Sequence, residues 1–140
     1  MLRYSVLIVL LVAVSCSQKA ISVGEETGKN LVAKVNEKVT VGNIVVTLKE
    51  IRESRCPINA NCIRAGEAVA VLNVVVNDKS ERNIQLCTGT DCNALGLSET
   101  YLLFAENQKC LFKLDSITPY PSNPAIQDEK KAYFSVSVSK

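Results

Sequence analysis

In the stretch Ala132-Tyr133-Phe134-Ser135-Val136-Ser137-Val138-Ser139, Phe134, Val136 and Val138 alternate with Ser135, Ser137 and Ser139. Side chains alternate across a strand, so this spacing predicts an antiparallel strand with one buried face and one wet face. Upstream, Val69 to Val76 is nearly continuous in apolar residues, as expected of a strand in the middle of a sandwich. Period-two segments rich in valine and isoleucine recur from Leu31 onward, and no stretch keeps a 3.6-residue stripe for three turns. Strands are expected at 31–35, 38–41, 44–53, 68–77, 82–87, 101–105, 110–117 and 132–139. Turn formers separate them, among them Val41-Gly42-Asn43, Asn77-Asp78-Lys79-Ser80, Glu106-Asn107-Gln108 and the proline-rich 119–124. Only 93–100 has room for a helical turn.

Seven or eight short strands in about 110 residues predict an all-β domain, an antiparallel β-sandwich that is immunoglobulin-like or related, with a small barrel as the alternative. The 140 residues, 47% apolar and 21% charged, fit one globular domain. Sixteen basic side chains face fourteen acidic ones with no long block of either sign. Nucleic acid is therefore not an expected partner, because phosphate binding needs a basic stripe. The chain has no histidine, which removes every imidazole-based triad and His-ligated metal site. It has no tryptophan and few aromatic rings, which leaves little for a stacking platform.

Ahead of the strands, Ser5 to Val14 is an apolar run of ten residues behind one positive charge, too short to span a bilayer of about 30 Å as a helix. It reads as a signal peptide. Ala13-Val14-Ser15-Cys16 resembles the lipobox of bacterial lipoproteins, which implies cleavage before Cys16 and acyl chains on that residue. The expected organisation is a signal peptide at 1–15, a polar tether at 16–30 and a β-sandwich domain at 31–140.

Five cysteines remain in an exported chain, at 56, 62, 87, 92 and 110. Cys56 and Cys62 flank a turn-rich heptapeptide, and a bridge there stabilises by about 2 kcal/mol on the chain-entropy model. Cys87 and Cys92 read as a second local bridge, leaving Cys110 free. The competing pairing, from Cys87 or Cys92 to Cys110, closes about twenty residues and is worth about 3 kcal/mol. Zinc is not expected, since structural sites use cysteine pairs two to four residues apart. No cofactor is expected either.

Glu53-Ser54-Arg55-Cys56-Pro57, then Cys62, then Ala65-Gly66-Glu67-Ala68 leading into a valine-rich strand, resembles a pattern in small bacterial envelope lipoproteins of unassigned function. The likeness continues through Leu114-Asp115-Ser116-Ile117-Thr118-Pro119-Tyr120-Pro121. This chain carries Arg64 where that pattern commonly has an aromatic residue, and its Cys87 and Cys92 are additional. Read from the residues themselves, Arg55 is placed to hold loop carbonyls or to pair with Glu53 or Glu67, and Gly66 to supply a positive φ. The functional counterpart is an interaction loop in which Arg55, Arg64 and Glu67 form a polar rim on a rigid β scaffold. The leading expectation is a non-enzymatic interaction or accessory module, lipid-anchored to a bacterial envelope membrane and facing the periplasm or the cell surface, with an envelope protein as partner. Two rivals are an inhibitor presenting the disulfide loop to a protease, and a histidine-free hydrolase using Glu53, Glu67 and Asp91.

Overall fold

The structure, a computed structural model, describes residues 28–122 and 129–140. The signal peptide, Cys16 and most of the expected tether therefore lie outside the described residues. Eight strands follow in chain order: β1 (Lys29–Lys34), β2 (Lys38–Val41), β3 (Ile44–Glu53), β4 (Glu67–Val76), β5 (Ser80–Gly89), β6 (Thr100–Ala105), β7 (Gln108–Thr118) and β8 (Lys131–Ser139). One short 3-10 turn, Cys92–Leu95, overlaps the start of the segment 93–100 that has room for a helical turn. Lys29 and Asn30, grouped with the tether by their polarity, already belong to β1.

The strands form two four-stranded antiparallel sheets, ordered β1-β8-β7-β6 and β2-β3-β4-β5. Every neighbour in these lists except β1 and β8 is also a neighbour in sequence. The arrangement is an eight-stranded up-and-down ring, flattened and left unpaired at two seams, β1/β2 and β5/β6. At one end of the β5/β6 seam the Cys87 N–H donates to the Ser98 carbonyl at 2.9 Å. At the other, Ser80 Oγ donates to Glu106 Oε1 at 2.6 Å. Tight turns set these registers: Asn77 and Asp78 take positive φ, as do Glu106 and Asn107, which suits the right-handed twist of the flanking strands.

The two inner faces make one core, centred on Phe112, Phe134, Leu48, Leu72, Ile84 and Leu86, all fully buried. Each such side chain contributes about 1.5–3 kcal/mol relative to its exposed state. The apolar run of β4 is explained by a second, smaller cluster: Val69 points to the outer face, where Cys87, Cys92 and Leu97 cover it.

Two bulges change the side-chain phase. Lys49 is an extra residue in β3 and Asp115 in β7. In β3, Ile44, Val46 and Leu48 are buried ahead of the bulge, and beyond it the inward positions become Ile51 and Glu53. In β7, Phe112 and Leu114 precede the bulge and Ile117 follows it on the inner face.

The strand directions sort the loops. The turns 41–44, 76–80 and 105–108 lie at one end, together with the start of β1 and the end of β8. The loops 53–67 and 89–100, and the described residues 118–122 and 129–131, lie at the other, here called the distal end.

Candidate functional site

The residues singled out by the sequence, Cys16 and Cys110 apart, converge on the distal end. The ladder between β3 and β4 runs past the strand ends, with the Ser54 N–H donating to the Glu67 carbonyl at 2.9 Å and the Cys56 N–H to the Ala65 carbonyl at 2.8 Å. The close approach needs glycine. At Gly66, φ is +78° and a Cβ would stand 2.0 Å from the Ser54 carbonyl oxygen.

Beyond this ladder, Cys56 and Cys62 are disulfide-bonded, and the enclosed segment folds as a turn in which the Ala60 N–H donates to the Pro57 carbonyl. The Ile58 N–H reaches across to the Pro121 carbonyl at 3.1 Å. Cys87 and Cys92 form the second disulfide, and Cys110 is a free, buried thiol. Burial pushes the Cys110 thiol up from its ordinary pKa.

Arg55 fixes the loop from beneath. Its Nε donates to Glu53 Oε1 at 2.7 Å, and one terminal nitrogen donates to Glu53 Oε2 at 2.5 Å and to the Ile117 carbonyl at 3.0 Å. The Tyr120 ring lies over the guanidinium, 4.5 Å from Cζ to the centroid. Lys130 Nζ adds a contact to Glu53 Oε2 at 3.1 Å and one to the Pro119 carbonyl at 2.9 Å. The Arg55 side chain is 9% exposed and that of Glu53 15%. Burial raises the Glu53 pKa, and the hydrogen bonds from Arg55 and Lys130 outweigh it, holding the carboxyl below the usual range. The two stretches that carry the sequence resemblance, 53–57 and 114–121, are thus packed on each other.

Arg64 and Glu67 have different surroundings. Arg64, 66% exposed, gives Nε to Asp91 Oδ2 at 3.2 Å, and the same oxygen accepts the Gly66 N–H at 2.9 Å. Asp91 therefore ties the two disulfide loops together. Glu67 accepts the Ser54 hydroxyl at 2.8 Å. Of the three residues grouped as a rim, Arg64 is solvent-facing, Glu67 is half-buried and Arg55 lies below the surface.

The carboxylates considered for hydrolysis are each already engaged: Glu53 by Arg55 and Lys130, Glu67 by Ser54, Asp91 by Arg64 and Gly66. Among the described residues no cluster of three cysteine or carboxylate side chains has metal-binding geometry. A shallow groove of about 470 Å³ lies at the opposite end, lined by Phe104, Glu106, Lys109 and Lys140 among others, and it contains none of these carboxylates. Sequence reasoning anticipated Glu53 as a partner of Arg55 but not Tyr120, Lys130 or the Arg64–Asp91 link. The only signal for Tyr120 was its place in the second stretch of the resemblance.

The geometry defines a class, a two-sheet antiparallel β-sandwich whose loops at one end carry two disulfides. No family model, curated protein or solved structure matches the chain.

Proposed function

We propose that the chain is an exported lipoprotein, anchored to a bacterial envelope membrane through Cys16, whose domain is a non-enzymatic interaction module. One observation carries this reading. The described chain joins the sandwich at Gly28 and Lys29, at the end opposite both disulfide loops, so an anchor upstream of β1 leaves those loops directed away from the membrane. The apolar run ending at Cys16 supports the anchor, and the two disulfides fit an oxidising compartment. Absence of histidine, together with carboxylates already committed to neighbours, supports a binding role over a catalytic one. The inhibitor reading is not favoured. Residues 57–60 fold back as a turn, whereas a segment laid along a protease cleft as an added strand is extended.

Intact mass of the protein purified from envelope membranes, alkylated under denaturing conditions before and after reduction, tests the proposal. The expected species starts at Cys16 and carries acyl groups. Alkylation reaches Cys110 alone before reduction, and Cys56, Cys62, Cys87 and Cys92 as well after it. A mature chain without lipid overturns the anchor.

A further inference from the structure

Three features of the surface stood as candidates: the groove beside Phe104, the β5/β6 seam and the distal loops. The groove gathers cations and anions alike, and the seam presents only unpaired strand edges. The distal loops carry a more specific chemistry.

They expose large apolar side chains on a rigid support. Ile63 is fully exposed, Ile58 is 68% exposed, Leu95 52% and Tyr120 45%. Leaving such groups in water forfeits the stabilisation their burial would bring, so a surface that keeps several of them on cross-linked loops is suited to being covered. Two disulfides, the Asp91 link between the loops and the Ile58–Pro121 hydrogen bond hold them in place before any encounter. Such fixing reduces the conformational entropy lost on binding.

Charge identifies the partner. Segments 56–65, 90–98 and 119–122 contain two charged residues, Arg64 and Asp91. Asp91 is spent on Arg64 Nε and Gly66, whereas the terminal nitrogens of Arg64 make no hydrogen bond among the described residues. The surface formed by these segments is therefore mainly apolar, with a single outward guanidinium fork and the exposed Glu99 at its edge. That is the composition of an interface core, depleted in charge but retaining arginine and aromatic residues. A guanidinium fork is matched by a carboxylate.

We propose that the distal loops dock a protein that offers an apolar cleft for Ile58 and Ile63 and a carboxylate for Arg64. An anionic bilayer is a poorer match, because attraction to lipid headgroups grows with the number of basic residues and these loops expose one. A second copy fits less well again: its distal end does offer the exposed Glu99 carboxylate, but the cleft beside that residue, between Gly89 and Thr100, is lined mainly by polar groups and gives Ile58 and Ile63 no apolar seat. The proposal rests on the interaction-module reading and adds the chemistry of its partner.

The test uses the full chain in its native envelope, with the photo-crosslinking residue p-benzoylphenylalanine placed at position 58, 63 or 95, and at 104 as the control on the opposite end. Discrete protein adducts are expected from the three distal positions and not from 104. R64E should weaken the adduct roughly tenfold or more, whereas D91N, which removes the same ion pair and leaves the Arg64 fork in place, should keep it. The adduct protein, identified and purified, should bind the wild-type domain directly, lose that binding with R64E, and recover it when the carboxylate at its crosslinked site is changed to lysine. Lipid adducts alone, crosslinks to a second copy of this chain, equal labelling from 104, or indifference to R64E would each overturn the proposal. A chain without lipid that still gives the Arg64-dependent adduct removes the anchor and keeps the docking surface. A lipidated chain without that adduct does the reverse.

Discussion

Replacing Arg55 with methionine separates a positioning role from an exposed recognition role. The substitution keeps much of the aliphatic stem, which leaves Tyr120 something to pack on, and removes both bonds to Glu53 and the one to the Ile117 carbonyl. Glu53 then retains Lys130 and the backbone N–H of residue 55, at 3.2 Å, in a position where its side chain is 15% exposed. Breaking a fully buried pair costs roughly 3–5 kcal/mol, and a lost hydrogen bond to a charged group roughly 1.5–3. Residual solvent and Lys130 soften the loss, so about 2–3 kcal/mol is expected at pH 7. The assay is urea unfolding followed by far-UV circular dichroism, with the denaturant slope unchanged. Glu53→Gln strands the guanidinium instead, and the double variant should cost less than the sum of the two. The sign with pH follows from the Glu53 carboxyl, whose folded pKa lies below its ordinary 4.5. Stability from the pairing is present above pH 4.5 and is lost as pH falls through the lower folded value, so the gap between wild type and Arg55→Met closes in acid. The exposed Lys34–Glu129 pair is the control, and its removal should leave the midpoint unchanged. A loss under about 0.5 kcal/mol, an additive cycle or a pH-independent gap would refute the buried staple.

Gly66→Ala should cost about 3 kcal/mol or more, because a Cβ meets the Ser54 carbonyl oxygen at a positive φ. Gly42→Ala, at φ +56° with open space around it, should cost only about 1 kcal/mol, and equal losses would count against the close-approach argument. Cys110, fully buried and with its thiol pKa raised, should resist iodoacetamide in the native state and react only on unfolding. Labelling at the rate of an exposed thiol would place it elsewhere. Removing the Cys56–Cys62 bridge with paired alanines should lower stability by about 2 kcal/mol, read from the urea midpoint. Phe112→Ala should cost about 3–5 kcal/mol as a core cavity, and a loss below 1 would contradict its place in the centre.

The strands were legible because β8 and the first part of β3 follow a period of two, and because two-residue and three-residue turns with Asn and Asp mark their ends. The expected strand positions agree with those observed to within two residues at every end. What escaped was phase. A strict alternation from Ile44 puts Arg52 on the buried side and Glu53 outside, and the bulge at Lys49 reverses that. Bulges have no local signature here, since Leu48-Lys49-Glu50 reads as ordinary strand sequence. The burial of Arg55 follows from this one inserted residue, together with the matching bulge at Asp115 that brings the Ile117 carbonyl within reach. The continuous apolar character of β4 was visible, but its cause was not: Val69 is covered by the disulfide of its neighbouring strand. Both local disulfides agree with the shorter-loop pairing. Contacts such as Arg64 to Asp91 or Lys130 to Glu53 join residues far apart in sequence, and nothing local announces them.

The pairing of β1 with β8 sets an order of assembly. Strands β2 to β5 each meet a sequence neighbour, and both disulfides close short loops next to them, so this sheet can zip up as the chain lengthens. The other sheet has no place for β1 until the final strand has been delivered. A chain still emerging from a ribosome or a translocation pore thus holds one finished sheet whose inner face, Val46, Leu72 and Ile84 among it, is only partly covered, by β6 and β7, until the last residues, those of β8, arrive. Deleting those residues would orphan the first strand as well as the last.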